Sequence, residues 1–568
     1  MPASLCEAGL GHMRAERYLD AQICCQQALT IDPGRAEALH LMGLLSLHAD
    51  RYDHAVEWMS RAIAQDPKPE YLFSLGTALQ HQTRYEEALQ VFDKAVQLKP
   101  DKAELWTGLG KALVDLGRRA EALLSFQHAL KLNPNNWEAA HENGMLLNKL
   151  GRREEALTCF KRCVELRPKR ASDEALAFNN LGNVLQSLGR SEEALRWLDR
   201  ALDLRPDFVQ ALSNKAIALS QMWLFDQAFE VYARVKALDP NHAVSNWNSA
   251  LLHMLTGNFE AGWAGREARW NIPSLSAAYP KFTEPMWLGR ENIEGKTVLI
   301  AADEGLGDAI QFSRYVPLVA ARGVRVILVV QDALRSLLSA LPGVAQCIAK
   351  SVAANGVPPF DVHCPLGSLP LAFGTRLDTI PADLPYLPPP PSARVRVWED
   401  RLGPRDRLRV GLVWSGNPEH KGDHHRSTSL RAYSAFLDVD ATFVSLQKDP
   451  RPDDRITLGE RSDIVDFTAN LTDFAETAAL ISCLDLVVTV DTSVAHLAGA
   501  LGCPTWILLP YTPDYRWLLD RDDSPWYPTV RLFRQHESRD YGPVIARVRA
   551  ELAAMISRHN GQKRKLRP

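Results

Sequence analysis

The apolar positions between residues 486 and 510, in LVVTVDTSVAHLAGALGCPTWILLP, form two unbroken runs on either side of an Ala/Leu-rich stretch. Runs that are apolar throughout, rather than alternating, mark strands buried on both faces of a parallel sheet. The pattern predicts strand, helix, strand, with Asp491-Thr492-Ser493 at the carboxyl end of the first strand and the amino end of the helix. Ligands of open α/β sheets sit at such junctions. Free backbone N–H groups and the positive end of the helix dipole favour an anion there, and the two hydroxyls add donors suited to phosphate. His496 lies one turn on, facing the same mouth. The plainer reading makes Asp491 and Ser493 helix caps and His496 a satisfied surface histidine.

Upstream, residues 296–330, KTVLIAADEGLGDAIQFSRYVPLVAARGVRVILVV, predict strand, Gly-containing turn, helix and strand, a βαβ unit with parallel strands. LRSLLSALPGV and FDVHCPLGSLPLAF follow as a helix and a further strand with its loop. The stretch 381–404, with prolines at 388–391, is the clearest internal break. A second unit starts at LRVGLVWSGNP (408–418), runs through ATFVSLQKD (441–449) and reaches the 486–510 stretch. Two doubly wound halves with a cleft between them are expected, at 296–387 and 408–556. A Pro-rich hinge at 388–407 separates them, and a basic, disordered tail at 557–568 follows.

The first half of the chain has another period. Proline recurs at Pro33, Pro67, Pro100, Pro134, Pro168, Pro206 and Pro240, steps of 34, 33, 34, 34, 38 and 34 residues. Small residues hold phase at Gly43, Gly76, Gly110, Gly144, Gly182, Ala216 and Ala250, and again at Ala55, Ala88, Ala122, Ala156, Ala194 and Ala228. This resembles the tetratricopeptide repeat, two helices that pack through small residues and end at a proline. About seven repeats cover 36–270, with a worn one before them, so 1–270 is expected to be a superhelix and 271–295 a connector. The four extra residues around 169–173 are expected to lengthen a loop. Such arrays hold protein in an inner groove lined by the first helices. Asn180, Asn214 and Asn248, spaced 34 and 34, form a ladder on one face, and asparagine amides bond an extended peptide through both donor and acceptor. The arrangement is similar to the asparagine ladder of protein O-GlcNAc transferases; the alternative is a polar, solvated groove.

Composition narrows the function. At 568 residues the chain divides into several domains, and 46% apolar with 23% charged residues is the balance of globular protein. A net charge of −3 gives no reason to expect nucleic acid or an anionic membrane, and no apolar run reaches the length of a membrane span. The first eighteen residues lack a signal-peptide core, and nine cysteines without a C-x-x-C pair fit the cytoplasm. Cys159 and Cys163 are expected to pack, not to bind metal.

The candidate chemistry lies at the two βα turns. In Asp303-Glu304-Gly305-Leu306-Gly307-Asp308 the glycines Gly305 and Gly307 allow backbone close to a ligand, and Asp308 opens a helix at a strand's carboxyl end. The turn does not fit G-x-G-x-x-G, so a dinucleotide fingerprint is unsupported. Asp308 reads either as a general base facing the cleft or as a carboxylate stabilised by the helix dipole. His420, His424 and His425 read as a polar loop over a diphosphate in preference to a metal cluster.

Gly307-Asp308, VGLVWSGNP with Arg426 downstream, and VVTVDTSVAHLAGALGCPTWILL together resemble glycosyltransferase family 9, the heptosyltransferases, over 296–534. The resemblance implies a GT-B fold, an α/β module of two Rossmann-like halves after an α-solenoid. It implies Asp308 as catalytic base and Arg426, where the family commonly has lysine, as the cation neutralising the donor diphosphate. Asp491, Thr492 and His496 would contact the nucleotide sugar; Ser493 stands where the family typically has glycine. Asn417 and Gln447, at the ends of the two preceding strands, are counted with the donor side. A cation and a helix dipole can stand in for a metal, so neither metal nor cofactor is expected beyond the nucleotide-sugar co-substrate. The segment 512–535, TPDYRWLLDRDDSPWYPTVRLFRQ, has no counterpart in the resemblance. The expectation is a glycosyltransferase acting on a protein or glycan docked by the repeats. Its alternatives are a non-catalytic scaffold and an O-GlcNAc-transferase-like enzyme.

Overall fold

The computed structural model describes residues 2–168, 170–277, 279–419 and 422–566, with only the backbone described for 561–566. The chain divides into two compact units, Met1–Leu238 and Asp239–Pro568.

Among the described residues the first unit is a run of fourteen helices, from Pro2–Arg14 to Phe225–Leu238, paired as the proline period predicts. The reason for the small phase residues is visible in the packing. A Cβ added to Gly76 would stand 2.7 Å from the Phe92 ring, and one added to Gly110 would stand 2.5 Å from Phe126. Both phenylalanines are fully buried, as are Ala88 and Ala122 beside them. The extra residues near 169–173 do not lengthen a loop. Helix Ala171–Ser187 has 17 residues where the first helix of the neighbouring repeats has 13, so they add one turn; Lys169 lies outside the described residues.

The second unit begins with helices Ala243–Leu255 and Phe259–Arg266, which carry the repeat signature yet pack inside the α/β body. Their aromatic face explains this: Trp263 meets Phe312, Tyr515 and Trp526 edge-on at 5.9, 6.1 and 6.3 Å. The array therefore gives way at Leu238, not at 270, as a compact unit.

Two parallel sheets follow. The first holds β1 (Thr297–Ala301), β2 (Arg325–Val330), β3 (Val344–Ala349) and β4 (Val362–Pro365) in the order β3-β2-β1-β4. The second holds β5 (Leu408–Val413), β6 (Ala441–Ser445), β7 (Ile464–Asp466), β8 (Leu486–Val490), β9 (Thr505–Leu509) and β10 (Val530–Arg534) in the order β10-β9-β8-β5-β6-β7. β5 and β8 are buried at every position, as their unbroken apolar runs require. Winding reverses between β1 and β4 in one sheet and between β5 and β8 in the other, the switch points where α/β sheets bind ligands. The stretch read as a hinge contains helix Ser392–Leu402. The tail read as disordered is instead the end of helix Gly542–Leu566; residues 567–568 lie outside the described part. No helix among the described residues is long and apolar enough to cross a membrane.

Candidate active site in the α/β unit

The turn after β1 leads into helix Leu306–Phe312, and the turn after β8 leads into helix Ser493–Ala500. The amino ends of these two helices, one from each sheet, meet. A Cβ on Gly307 would lie 2.7 Å from His496 Cδ2, so only glycine lets the first helix come this close. His496 is accordingly buried between the helices, 1% exposed, not at an open mouth.

Asp308 closes its own helix turn and pairs with a cation of the other half. Its Oδ2 accepts from the Gly305 N–H at 3.1 Å, closing the first turn of its helix. Its Oδ1 accepts from Arg516 Nη2 at 2.5 Å. Arg516 comes from the short turn Tyr515–Trp517 after β9, inside the tryptophan-rich segment that the family resemblance left without a counterpart. The same guanidinium lies 3.4 Å from His496 Nε2 through Nη1 and 3.2 Å from Asp514 Oδ1 through Nε. An arginine only donates, so Nε2 of His496 is the acceptor and Nδ1–H donates to Tyr527 Oη at 2.9 Å. Burial and the facing arginines Arg516, Arg314 and Arg426 hold His496 well below its ordinary value, hence neutral. Burial raises Asp308 against the pull of Arg516.

At the second switch point Asp491 is buried, and that burial, reinforced by Asp514, pushes its carboxyl up to about 6 against Arg516 and Arg426. The helix cap is Thr492, whose side chain makes no cap hydrogen bond among the described residues; its hydroxyl instead faces Thr489 Oγ1 at 3.2 Å. Asp491 and Ser493 are thus not caps, and the helix terminus keeps its anion-seeking N–H groups. Across the switch point Arg426 lies against Gly416: a Cβ there would be 2.9 Å from its Nη2. Its Nε and the Ser415 hydroxyl are buried and make no hydrogen bond among the described residues. Asp423 stands 3.5 Å from Arg426 Nε, and its other oxygen is taken by Arg451.

Gln447 is placed otherwise than expected. Its Oε1 accepts from the N–H groups of Trp414 and Ser415 at 3.2 and 3.0 Å, pinning the chain after β5. Asn417 is exposed and closes its own loop, accepting from the Glu419 N–H at 3.0 Å. His420 lies outside the described residues, and among those described no group of three or more His, Cys, Asp or Glu is placed to hold a metal.

Behind the β1 turn, Arg266 pairs with Glu304, and Arg269 reaches Asp303 Oδ2 at 3.1 Å and Ser368 Oγ at 2.6 Å. Asp303 also accepts from the Gly367 N–H at 2.9 Å, tying the β1 and β4 loops. Sequence reasoning placed Arg266 and Arg269 in the last repeat and so missed this. Arg266, buried with the rings of Trp247, Trp263, Phe312 and Tyr515 about it, leaves Nε and Nη1 without a hydrogen-bond partner among the described residues.

In the repeat unit, Asn214 Nδ2 donates to Asn179 Oδ1 at 2.9 Å, Asn179 Nδ2 to Asn180 Oδ1 at 3.1 Å, and Asn183 Nδ2 to Asn214 Oδ1 at 3.1 Å. Asn180 Nδ2 lies 2.9 Å from His141 Nε2. Asn180 and Asn214 are thus tied into one network through Asn179 and Asn183, which the 34-residue spacing did not reveal. Asn248 belongs to the second unit.

A parallel two-sheet body with two switch-point helices facing each other, after a helical array, is the architecture of a repeat protein joined to an α/β glycosyltransferase module. The chain matches tetratricopeptide repeat families over residues 6–68, 79–142, 138–207 and 179–243, and glycosyltransferase family 9 (heptosyltransferase) over 455–541. It thus carries tetratricopeptide repeats followed by a segment that matches glycosyltransferase family 9. The latter match includes Asp491, His496 and Arg516, whereas Asp308 and Arg426 lie outside it. Protein FlbA of Caulobacter vibrioides is 26% identical over 377 residues, 61% of this chain and 61% of that protein. The chain therefore spans about three fifths of this relative's length. Among solved structures, Pseudomonas aeruginosa pilF is 23% identical with a TM-score of 0.34, covering 38% of this chain and 96% of that one. YrrB, described as a TPR protein with an unusual peptide-binding site, is 29% identical with a TM-score of 0.27, covering 34% and 97%.

Proposed function

We propose that the α/β unit transfers a sugar from a nucleoside-diphosphate donor to a hydroxyl of a protein or glycan held by the repeats. The observation that carries this is the meeting of Asp308, from the first half, with the cationic, helix-terminated donor wall of the second. In the reaction Asp308 takes the proton of the acceptor hydroxyl as its oxygen bonds the anomeric carbon. The bond from that carbon to the diphosphate breaks, and the departing charge falls on Arg426 and the N–H groups at Ser493. No metal is needed for that charge balance. Asp491, Thr492 and His496 shape the donor wall in this reading, with Gln447 supporting it from behind.

A scaffold that has lost the chemistry is the second reading, favoured by the contact of Gly307 with His496, which brings the walls together. A thermal-shift panel of nucleoside diphosphates and nucleotide sugars separates the two. A ligand at 100 times its dissociation constant should stabilise the protein by about 2.7 kcal/mol. A flat panel, with no sugar transferred to any protein or glycan fraction, leaves the scaffold. An O-GlcNAc-transferase-like action on peptides rests on the asparagine row, whose amides each keep a spare donor and acceptor for a peptide backbone.

A further inference from the structure

Arg516 is an unusual occupant for the centre of such a site. It is 10% exposed in its side chain and stands on a turn that the Asp514 carboxylate fixes, accepting from the Arg516 N–H at 3.1 Å. Its head group reaches across from the half that carries the donor wall to the carboxylate proposed as base, 2.5 Å away. On the other side it touches His496, on the very helix whose first N–H groups have no side-chain cap. The guanidinium thus sits between the acid of one half and the anion-seeking terminus of the other. Asp514, Asp308 and Asp491 all pull on its charge, and of these Asp308 reaches it from the opposite half.

We propose that Arg516 is a second diphosphate-binding cation, and that Asp308 holds it only while the donor is absent. The proposal rests on the sugar-transfer reading of the same site. A diphosphate carries more charge than one carboxylate and presents several oxygens to the planar donor fork of an arginine. Donor entry therefore draws Arg516 off Asp308. The carboxylate loses its cation, becomes the stronger proton acceptor, and is free for the acceptor hydroxyl. Donor binds first and acceptor second, and the base stays blocked in a protein that holds no sugar to transfer. The exchange of partners moves no bond and no electron: one ion pair opens and another closes.

The test is a calorimetric titration of the full-length protein with inorganic pyrophosphate and with ADP, GDP, CDP and UDP. Arg516→Gln should weaken the best-binding probe about tenfold or more, the loss of one charge-assisted contact. Asp308→Asn should do the opposite and tighten it by about three- to tenfold, because a cation no longer sequestered is more often competent to bind. A variant that folds poorly does not bind more tightly, so the sign of this change is diagnostic. In the double variant the gain from Asp308→Asn should vanish. Wild-type binding with Asp308→Asn unchanged or weaker overturns the exchange alone, and normal binding by Arg516→Gln removes the arginine. A wild-type protein that binds none of the five probes overturns the donor site itself, and this proposal with it.

Discussion

Gly307 and His496 touch where a side chain would not fit: the Cβ position of one lies 2.7 Å from Cδ2 of the other. Gly307→Ala must push apart two helices whose histidine is buried against Tyr527 and Trp517. Overpacking of this kind costs about 1–3 kcal/mol, which outweighs the gain of up to about 1 kcal/mol from replacing a helical glycine. The variant should melt below wild type in calorimetry, and an equal or higher melting temperature would mean that the helices are not held in contact.

Removing the proposed base gives a kinetic signature. Asp308→Asn should lower sugar transfer by about 10²–10⁴-fold. Its bond to the Gly305 N–H can be kept by the asparagine oxygen, while the ion pair with Arg516 is lost, so the melting temperature is measured alongside to separate the structural cost from the kinetic one. Transfer that persists at the wild-type rate assigns Asp308 to the cap alone.

Arg426 bears on affinity. Arg426→Ala should weaken nucleoside-diphosphate binding by about 1.5–3 kcal/mol, the worth of a hydrogen bond to a charged partner. Isothermal titration that gives the same constant for both proteins would take Arg426 off the diphosphate.

The raised carboxyl of Asp491 ties stability to pH. Its folded value of about 6 lies above that of an unfolded aspartate, about 3.9, so the folded state holds its proton longer. Stability is therefore lost as pH rises from about 4 to about 6 and stays lost above that, by as much as about 3 kcal/mol. Asp491→Asn lacks this loss. The melting-temperature difference, variant minus wild type, should grow between pH 4 and pH 6 and then level off; a difference that is flat across that range contradicts the assignment.

In the repeats, Asn214→Ala removes hydrogen bonds to both Asn179 and Asn183 and strands two partly buried amides. A cost of about 1–3 kcal/mol is expected, seen as a lower melting temperature. Asn248→Ala, which breaks no such bond among the described residues, should leave melting alone. Equal melting of Asn214→Ala and wild type would show that the row is not structural.

Much of this was legible before any coordinates. The unbroken apolar runs at β5 and β8 and the proline period followed from the hydrophobic pattern and small-residue phase, because both reflect local packing. Asp308, Asp491 and His496 were legible as residues at βα turns. Arg516, Arg266 and Gln447 were not. Arg516 is 208 residues from its partner Asp308, in a loop with no period of its own, and only the closure of the two halves brings them together. Arg266 stood in a good repeat pattern, and nothing in spacing distinguishes a helix that stacks on another repeat from one that stacks on a sheet. Gln447, counted with the donor side because it follows a strand of the second half, is instead claimed by the backbone after β5.

The longer helix Ala171–Ser187 sets a rule for how this chain tolerates change in length. Four added residues turn a helix through about 400°, only about 40° past a full revolution, so side chains beyond the insertion return nearly to their former azimuth. The extra turn lies ahead of Asn179, Asn180 and Asn183, which keep the ordinary 34-residue register with Asn214 of the following repeat. The array thus admits insertions in quanta of a turn, and natural or engineered variants with lengthened first helices should carry three or four extra residues far more often than two.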